Sequence, residues 1–186
     1  MARTFIAIDI KPEAELVEGW NRLRVILKHD SVKWVDPKLL HLTLLFLGDT
    51  PDHLIGKISI SLAGRLVSHP VFSIAISGMG TFGNPKPRVI WLGVEPSVEL
   101  QNLKFYVDEI LLPFGFVDEN YPYKPHLTLG RVNFLNDIRP IQEFMGEVKE
   151  NVWQKVNVDR ITFYRSTLTA AGPIYEPLKV IELKGV

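Results

Sequence analysis

The sequence predicts an α+β or α/β fold made of two related lobes, and three observations carry this. Strand-like and helix-like periodicities alternate along all 186 residues. The tetrapeptide His-Leu-Thr-Leu occurs twice, at 41–44 and 126–129, about half a chain apart. No linker-like or low-complexity stretch divides the chain, so residues 1–186 read as one domain.

Each element has its own warrant. Residues 4–10 alternate as a strand, and Pro12 opens a helix to about Lys28 with Leu16, Trp20, Leu23 and Leu27 on one face. Val32–Val35 is extended, and Leu39–Leu47, closed by Gly48, suits a buried strand. Leu54, Ile58, Leu62 and Leu66 stripe a helix from Pro51 to about Val67. Strands follow near 71–77 and 89–94, separated by a Gly/Pro-rich loop over 78–87. Leu100, Leu103, Val107 and Leu111 mark a helix from Ser97 to Leu112, which Pro113 and Gly115 end. The segment Tyr121–Pro125 introduces the strand 126–132. A weaker helix at 137–149 and strands at 156–164 and 175–183 complete the chain.

Composition narrows the chemistry. A hydrophobic fraction of 46% with ten Phe supports a packed interior, and the absence of Cys removes disulfides and thiolate chemistry. Lys plus Arg balances Asp plus Glu at 21 each, so a nucleic-acid partner must be held by a local basic patch. The N-terminus reads as a strand and not as a signal peptide, and no apolar run is long enough to span a bilayer. A cytoplasmic monomer without membrane attachment is the expectation.

The repeated tetrapeptide carries the chemistry. On a strand, His41 and Thr43 share one face while Leu42 and Leu44 take the other, and the same holds for His126 and Thr128. Two such strands facing each other across the lobes would line a cleft with two imidazoles and two hydroxyls. Displacement at a cyclic phosphate needs one group to take a proton from the attacking oxygen and another to protonate the leaving oxygen. Paired histidines supply both near neutral pH, in either assignment, and the threonines can donate to the non-bridging oxygens. One His-x-Thr in a strand is commonly structural; its duplication changes the reading. No metal or other cofactor is expected, because two histidines do not complete a zinc shell and no His-Glu-x-x-His occurs.

These motifs resemble the paired His-x-Thr-x signature of the two-histidine phosphoesterases, and the chain looks most like their LigT-like branch, the RNA 2′,3′-cyclic phosphodiesterases also called 2′-5′ RNA ligases. Further matching pieces are Arg3–Ile8, Trp34–Gly48, Pro87–Trp91, Pro125–Arg131, Tyr164–Leu168 and Gly172–Tyr175. The resemblance implies a bilobal α+β fold, each lobe an antiparallel-rich sheet with helices outside, flanking a central V-shaped cleft. It also implies opening of a 2′,3′-cyclic phosphate to a 2′-phosphate on RNA ends, tRNA fragments or small nucleotides. It makes His41 the proton donor and His126 the acceptor, with Thr43 and Thr128 on phosphate. The alternative is a non-catalytic nucleotide- or RNA-end-binding module on the same fold.

The chain departs from the family pattern at Leu45, where many relatives carry Lys. Strict alternation sets this residue on the face of His41 and Thr43, so a cation would be missing there. Supporting candidates for substrate contact are Arg131, Tyr123, Arg88, Arg165 and Tyr175. Strict alternation turns Arg131 away from His126, and a bulge at Gly130 would re-aim it. Tyr123 is a candidate for stacking on a base or for the rim, and Lys86 with Arg88 for a basic edge.

Overall fold

A computed structural model describes residues 1–116, 122–170 and 172–185, so Tyr121 of the segment before the second motif lies outside them. In chain order the strands are β1 (Ala2–Asp9), β2 (Ser31–Trp34), β3 (His41–Thr50), β4 (Phe72–Phe82), β5 (Val89–Val94), β6 (His126–Phe134), β7 (Val152–Val158), β8 (Arg160–Thr169) and β9 (Gly172–Glu182). The α-helices are α1 (Ala14–Ile26), α2 (Asp52–Leu66), α3 (Val98–Leu111) and α4 (Arg139–Glu147).

The helices follow the apolar stripes. Leu16, Trp20 and Leu23 of α1, Ile58, Leu62 and Leu66 of α2, and Leu100, Leu103 and Val107 of α3 are buried. The Ser97 hydroxyl caps α3 by accepting from the Leu100 amide at 3.1 Å.

The strands form one antiparallel sheet in the order β7-β4-β5-β6-β3-β1-β8-β9, with β2 also on β6. The two expected sheets are therefore halves of one sheet, and a single residue pair, Leu42 opposite Leu127, joins them. About this pair the halves correspond: β3 with β6, β1 with β5, β8 with β4 and β9 with β7. Helices α1 and α4 pack on the β4–β7 half, and α2 and α3 on the β1–β3–β9 half. Each half thus takes one helix from each sequence copy. Such interleaving explains why no linker is visible.

Two differences from the sequence reading have physical causes. The predicted loop at 78–87 begins as strand, because β4 runs on to Phe82; Gly80 stands opposite Trp91, whose indole lies where a Cβ would be. The single strand expected at 156–164 is two, broken at Asp159. There the chain leaves β7, at one sheet edge, and enters β8 in the other half. Trp153 and Gln154 are both buried, so β7 lacks the alternation that reveals a strand.

Gly19 of α1 gives a test of this packing. A Cβ there would come 2.1 Å from the ring of Trp153, which is itself held by a 2.8 Å bond from its Nε1 to the Gly78 carbonyl. In Gly19→Ala the helix-propensity gain of about 1 kcal/mol opposes an overpacking cost of about 1–3 kcal/mol. The expected outcome is a lower urea midpoint; a raised midpoint would show that Trp153 yields.

Candidate active site

The Leu42–Leu127 pair sets the geometry of the repeated motifs. Both leucines are fully buried on the helix-covered face. Continuing the antiparallel register one residue each way sets His41 toward Thr128 and Thr43 toward His126. Two imidazoles and two hydroxyls thereby gather on the opposite face, all four partly exposed.

The backbone before each motif fixes its imidazole. The turn Pro37–Leu39, capped by the Asp36 carboxylate on the Lys38 amide, presents the Leu39 carbonyl to His41 Nδ1 at 2.7 Å. The Lys124 carbonyl meets His126 Nδ1 at the same distance. In both rings Nδ1 donates to a carbonyl, which leaves Nε2 free to exchange a proton with a ligand.

Each histidine rests among aromatic rings. His41 lies 5.1 Å from Phe5 and 5.3 Å, edge-on, from Tyr175, while Phe5 stacks on Tyr164 at 5.2 Å. His126 meets Phe82 edge-on at 4.8 Å and Trp91 at 6.4 Å. Burial holds the His41 imidazole below its ordinary value; the Leu39 carbonyl and the Asp9 carboxylate oppose this, and His126 adds to it.

Both motif strands carry a β-bulge at the same place. Leu45 pairs with Ile6 and Thr43 with Ala7, which leaves Leu44 as the extra residue. Gly130 pairs with Ile90 and Thr128 with Trp91, which leaves Leu129 extra. Two expectations change as a result. Leu45 does not share the histidine face: it is 3% exposed in the core, so the departure from the family's Lys removes no cation from His41. Arg131 is re-aimed onto the face of His126 and Thr128, with the extra residue one before Gly130. It acts there with Arg3 to moderate the rise that burial imposes on the Tyr175 hydroxyl.

The other candidates divide. Tyr175 stands beside His41. Tyr123 is not a free stacking surface: its hydroxyl donates to the Thr43 carbonyl at 2.8 Å, with Lys104 over its ring, so it fastens the two motif segments together. Arg165 pairs with Thr4 of the buried face and reaches Glu176 at 3.4 Å, on the side of the sheet away from the histidines. Arg88 is exposed just before β5 and alternates with Val89, which faces Arg131, so it too is set off the site face.

Sequence reasoning missed Asp9, Phe5, Phe82 and Trp91, together with Lys33, which pairs with Arg131. Asp9 is the register partner of His41, and it accepts hydrogen bonds from the Tyr164 hydroxyl at 2.6 Å and the Thr162 hydroxyl at 3.0 Å. The alternation Phe5, Ala7, Asp9 along β1 was the available signal. Among the described residues no group of three or more His, Cys, Asp or Glu gathers as a metal site, and no helix is long and apolar enough to cross a membrane.

Comparison with known proteins agrees with this architecture. The chain is 35% identical to an RNA 2′,3′-cyclic phosphodiesterase of Methanothermobacter thermautotrophicus, across 97% of this chain and 98% of that one. It is also 35% identical to a protein of the same name from Thermotoga maritima, across 98% and 96%. Among solved structures it is similar to E. coli LigT complexed with 3′-AMP, with a TM-score of 0.74 and 28% identity over 98% of both chains. TT0787 of Thermus thermophilus shares the fold, with a TM-score of 0.78 at 24% identity. A family model matches residues 12–169, and the chain belongs to the 2′-5′ RNA ligase superfamily.

Proposed function

We propose that this protein is an RNA 2′,3′-cyclic phosphodiesterase that opens a terminal cyclic phosphate to a 2′-phosphomonoester by acid–base catalysis between His41 and His126. One observation supports this above the others: a single antiparallel pair brings two His-x-Thr faces together with both Nε2 atoms unclaimed. His126 Nε2 takes the proton of the attacking water, and His41, as imidazolium, protonates the departing 3′ oxygen. Thr43 and Thr128 donate to the non-bridging oxygens, and Arg131 neutralises their charge. By microscopic reversibility the same pair joins a 5′-hydroxyl to a cyclic phosphate, giving a 2′-5′ bond. One chain carries both motifs, and it acts as a monomer on RNA ends or small nucleotides in the cytoplasm. The LigT structure with 3′-AMP and the names of the curated relatives support a nucleotide or RNA-end substrate.

An oligonucleotide ending in a 2′,3′-cyclic phosphate, assayed in excess EDTA, tests the mechanism. His41→Ala and His126→Ala are each expected to lose about 10²–10⁴-fold in kcat, with circular dichroism unchanged. Full activity in either variant would sink the two-histidine reading. Tight mononucleotide binding by the wild type without turnover would point to the binding module.

The pH dependence follows from the proton inventory, since the reaction needs one proton on the histidine pair. Burial holds the His41 imidazole below its ordinary value, so its acid form is lost as the pH rises through that lowered value. The expected profile of kcat/KM is bell-shaped, with its alkaline limb set by loss of the His41 proton.

Arg131 and Arg165 separate the two faces of the sheet. Arg131→Ala is expected to lower kcat/KM about ten- to a hundredfold, the worth of one charge-assisted phosphate contact. Arg165→Ala is expected to change it less than about twofold, as for a surface ion pair. Equal effects in steady-state assays would refute the bulge-directed assignment.

A further inference from the structure

The two motifs are alike, whereas the reaction needs an unlike acid and base, and the motifs themselves do not say what makes them differ. The neighbouring strands do. Across β1 the register partner of His41 is Asp9; across β5 the register partner of His126 is Gly93. These positions correspond under the duplication, so one histidine faces a carboxylate where the other faces no side chain. The difference is built in: a Cβ on Gly93 would lie 2.8 Å from the Ser77 carbonyl oxygen, which leaves no room for a second aspartate.

Asp9 is also held. One carboxylate oxygen accepts from the Tyr164 hydroxyl at 2.6 Å and the other from the Thr162 hydroxyl at 3.0 Å. These two anchors on β8 fix the place of the carboxylate. Burial and Asp9 together push the Tyr164 hydroxyl far above its ordinary range, so this tyrosine stays a donor. Since His41 Nδ1 already donates to Leu39, the carboxylate acts on the ring through its charge and not as a hydrogen-bond relay.

We propose, on the two-histidine reading above, that Asp9 is the positioning residue that sets the first histidine apart: its fixed charge supports the imidazolium that His41 needs as the acid, where the corresponding place beside His126 is Gly93. The other charged and titratable groups around the ring do not duplicate this. His126, from β6, disfavours a charge on His41. Arg3 and Arg131 act on Tyr175, and Arg160 at the start of β8 senses Asp9 itself. Among the described residues that act on His41, Asp9 is the one carboxylate. The partial exposure of the site screens the effect, so Asp9 biases the proton and does not lock it.

The test combines NMR titration of the histidine rings with steady-state kinetics on the cyclic-phosphate oligonucleotide. In Asp9→Asn, His41 is expected to titrate at lower pH than in wild type while the His126 titration is unchanged. The kcat/KM at the pH optimum is expected to fall about three- to tenfold, through kcat with little change in KM. Asp9→Glu should restore part of the loss, and Tyr164→Phe should shift His41 in the same direction by less. An unmoved His41 titration, or an equal movement of His126, would overturn the inference. So would a shifted His41 with unchanged kcat. His41→Ala and His126→Ala run in parallel keep the two failures apart: full activity there removes the two-histidine mechanism, while the titration still decides whether Asp9 distinguishes the rings.

Discussion

A single antiparallel pair, Leu42 against Leu127, is the constraint on which the rest depends. Both side chains are fully buried, each contributing about 1.5–3 kcal/mol of apolar burial, and their backbones join two halves that share no other ladder pair among the described residues. Strand alternation then leaves no choice for the neighbours: with the leucines inward, the flanking His and Thr residues must turn to the other face. Slipping this register by one residue would send the imidazoles into the core and the leucines into water. Core packing and catalytic geometry are therefore one requirement, satisfied by the same four-residue pattern twice.

The bulges extend this logic along each strand. One extra residue after each threonine keeps Leu44 and Leu129 packed while reversing the parity beyond them. Leu45 enters the core behind His41, and Arg131 emerges beside His126. The corresponding position in the first copy is Phe46, over which Arg3 stacks at 4.9 Å. The copies thus keep the device and vary what it presents, an aromatic ring on one side and a guanidinium on the other.

How far this was legible in the sequence depends on how local each cause is. The helix stripes, the two motif strands and the histidine faces follow from periodicity within a dozen residues, and the structure places them as read. The bulge at Leu44 leaves no mark in its own apolar run, so alternation set Leu45 on the wrong face, whereas Gly130 hinted at the matching irregularity. Tyr123 and Arg165 carried side chains suited to a ligand, but their partners, Thr43 and Glu176, come from other strands. Asp9 showed in the sequence only as a member of the β1 alternation, with nothing to mark its partners. Its neighbours Thr162 and Tyr164 lie some 150 residues away, and its place beside His41 is a matter of register.

Duplication alone supplies two copies of one group, and general acid–base chemistry requires the copies to behave differently. Changing the motif itself would disturb the leucine packing that aligns the halves, so the difference has to come from elsewhere. The adjacent strand is the nearest place that reaches the ring without touching that packing. There β1 offers Asp9 and the small Ala7 beside the first motif, while β5 offers Gly93 and Trp91 beside the second. A carboxylate favours a charged imidazole; an indole and an edge-on phenyl ring offer no comparable anion. In the proposed mechanism the division of labour between two identical tetrapeptides is thus written in the strands that flank them, where the sheet can vary without moving the histidines.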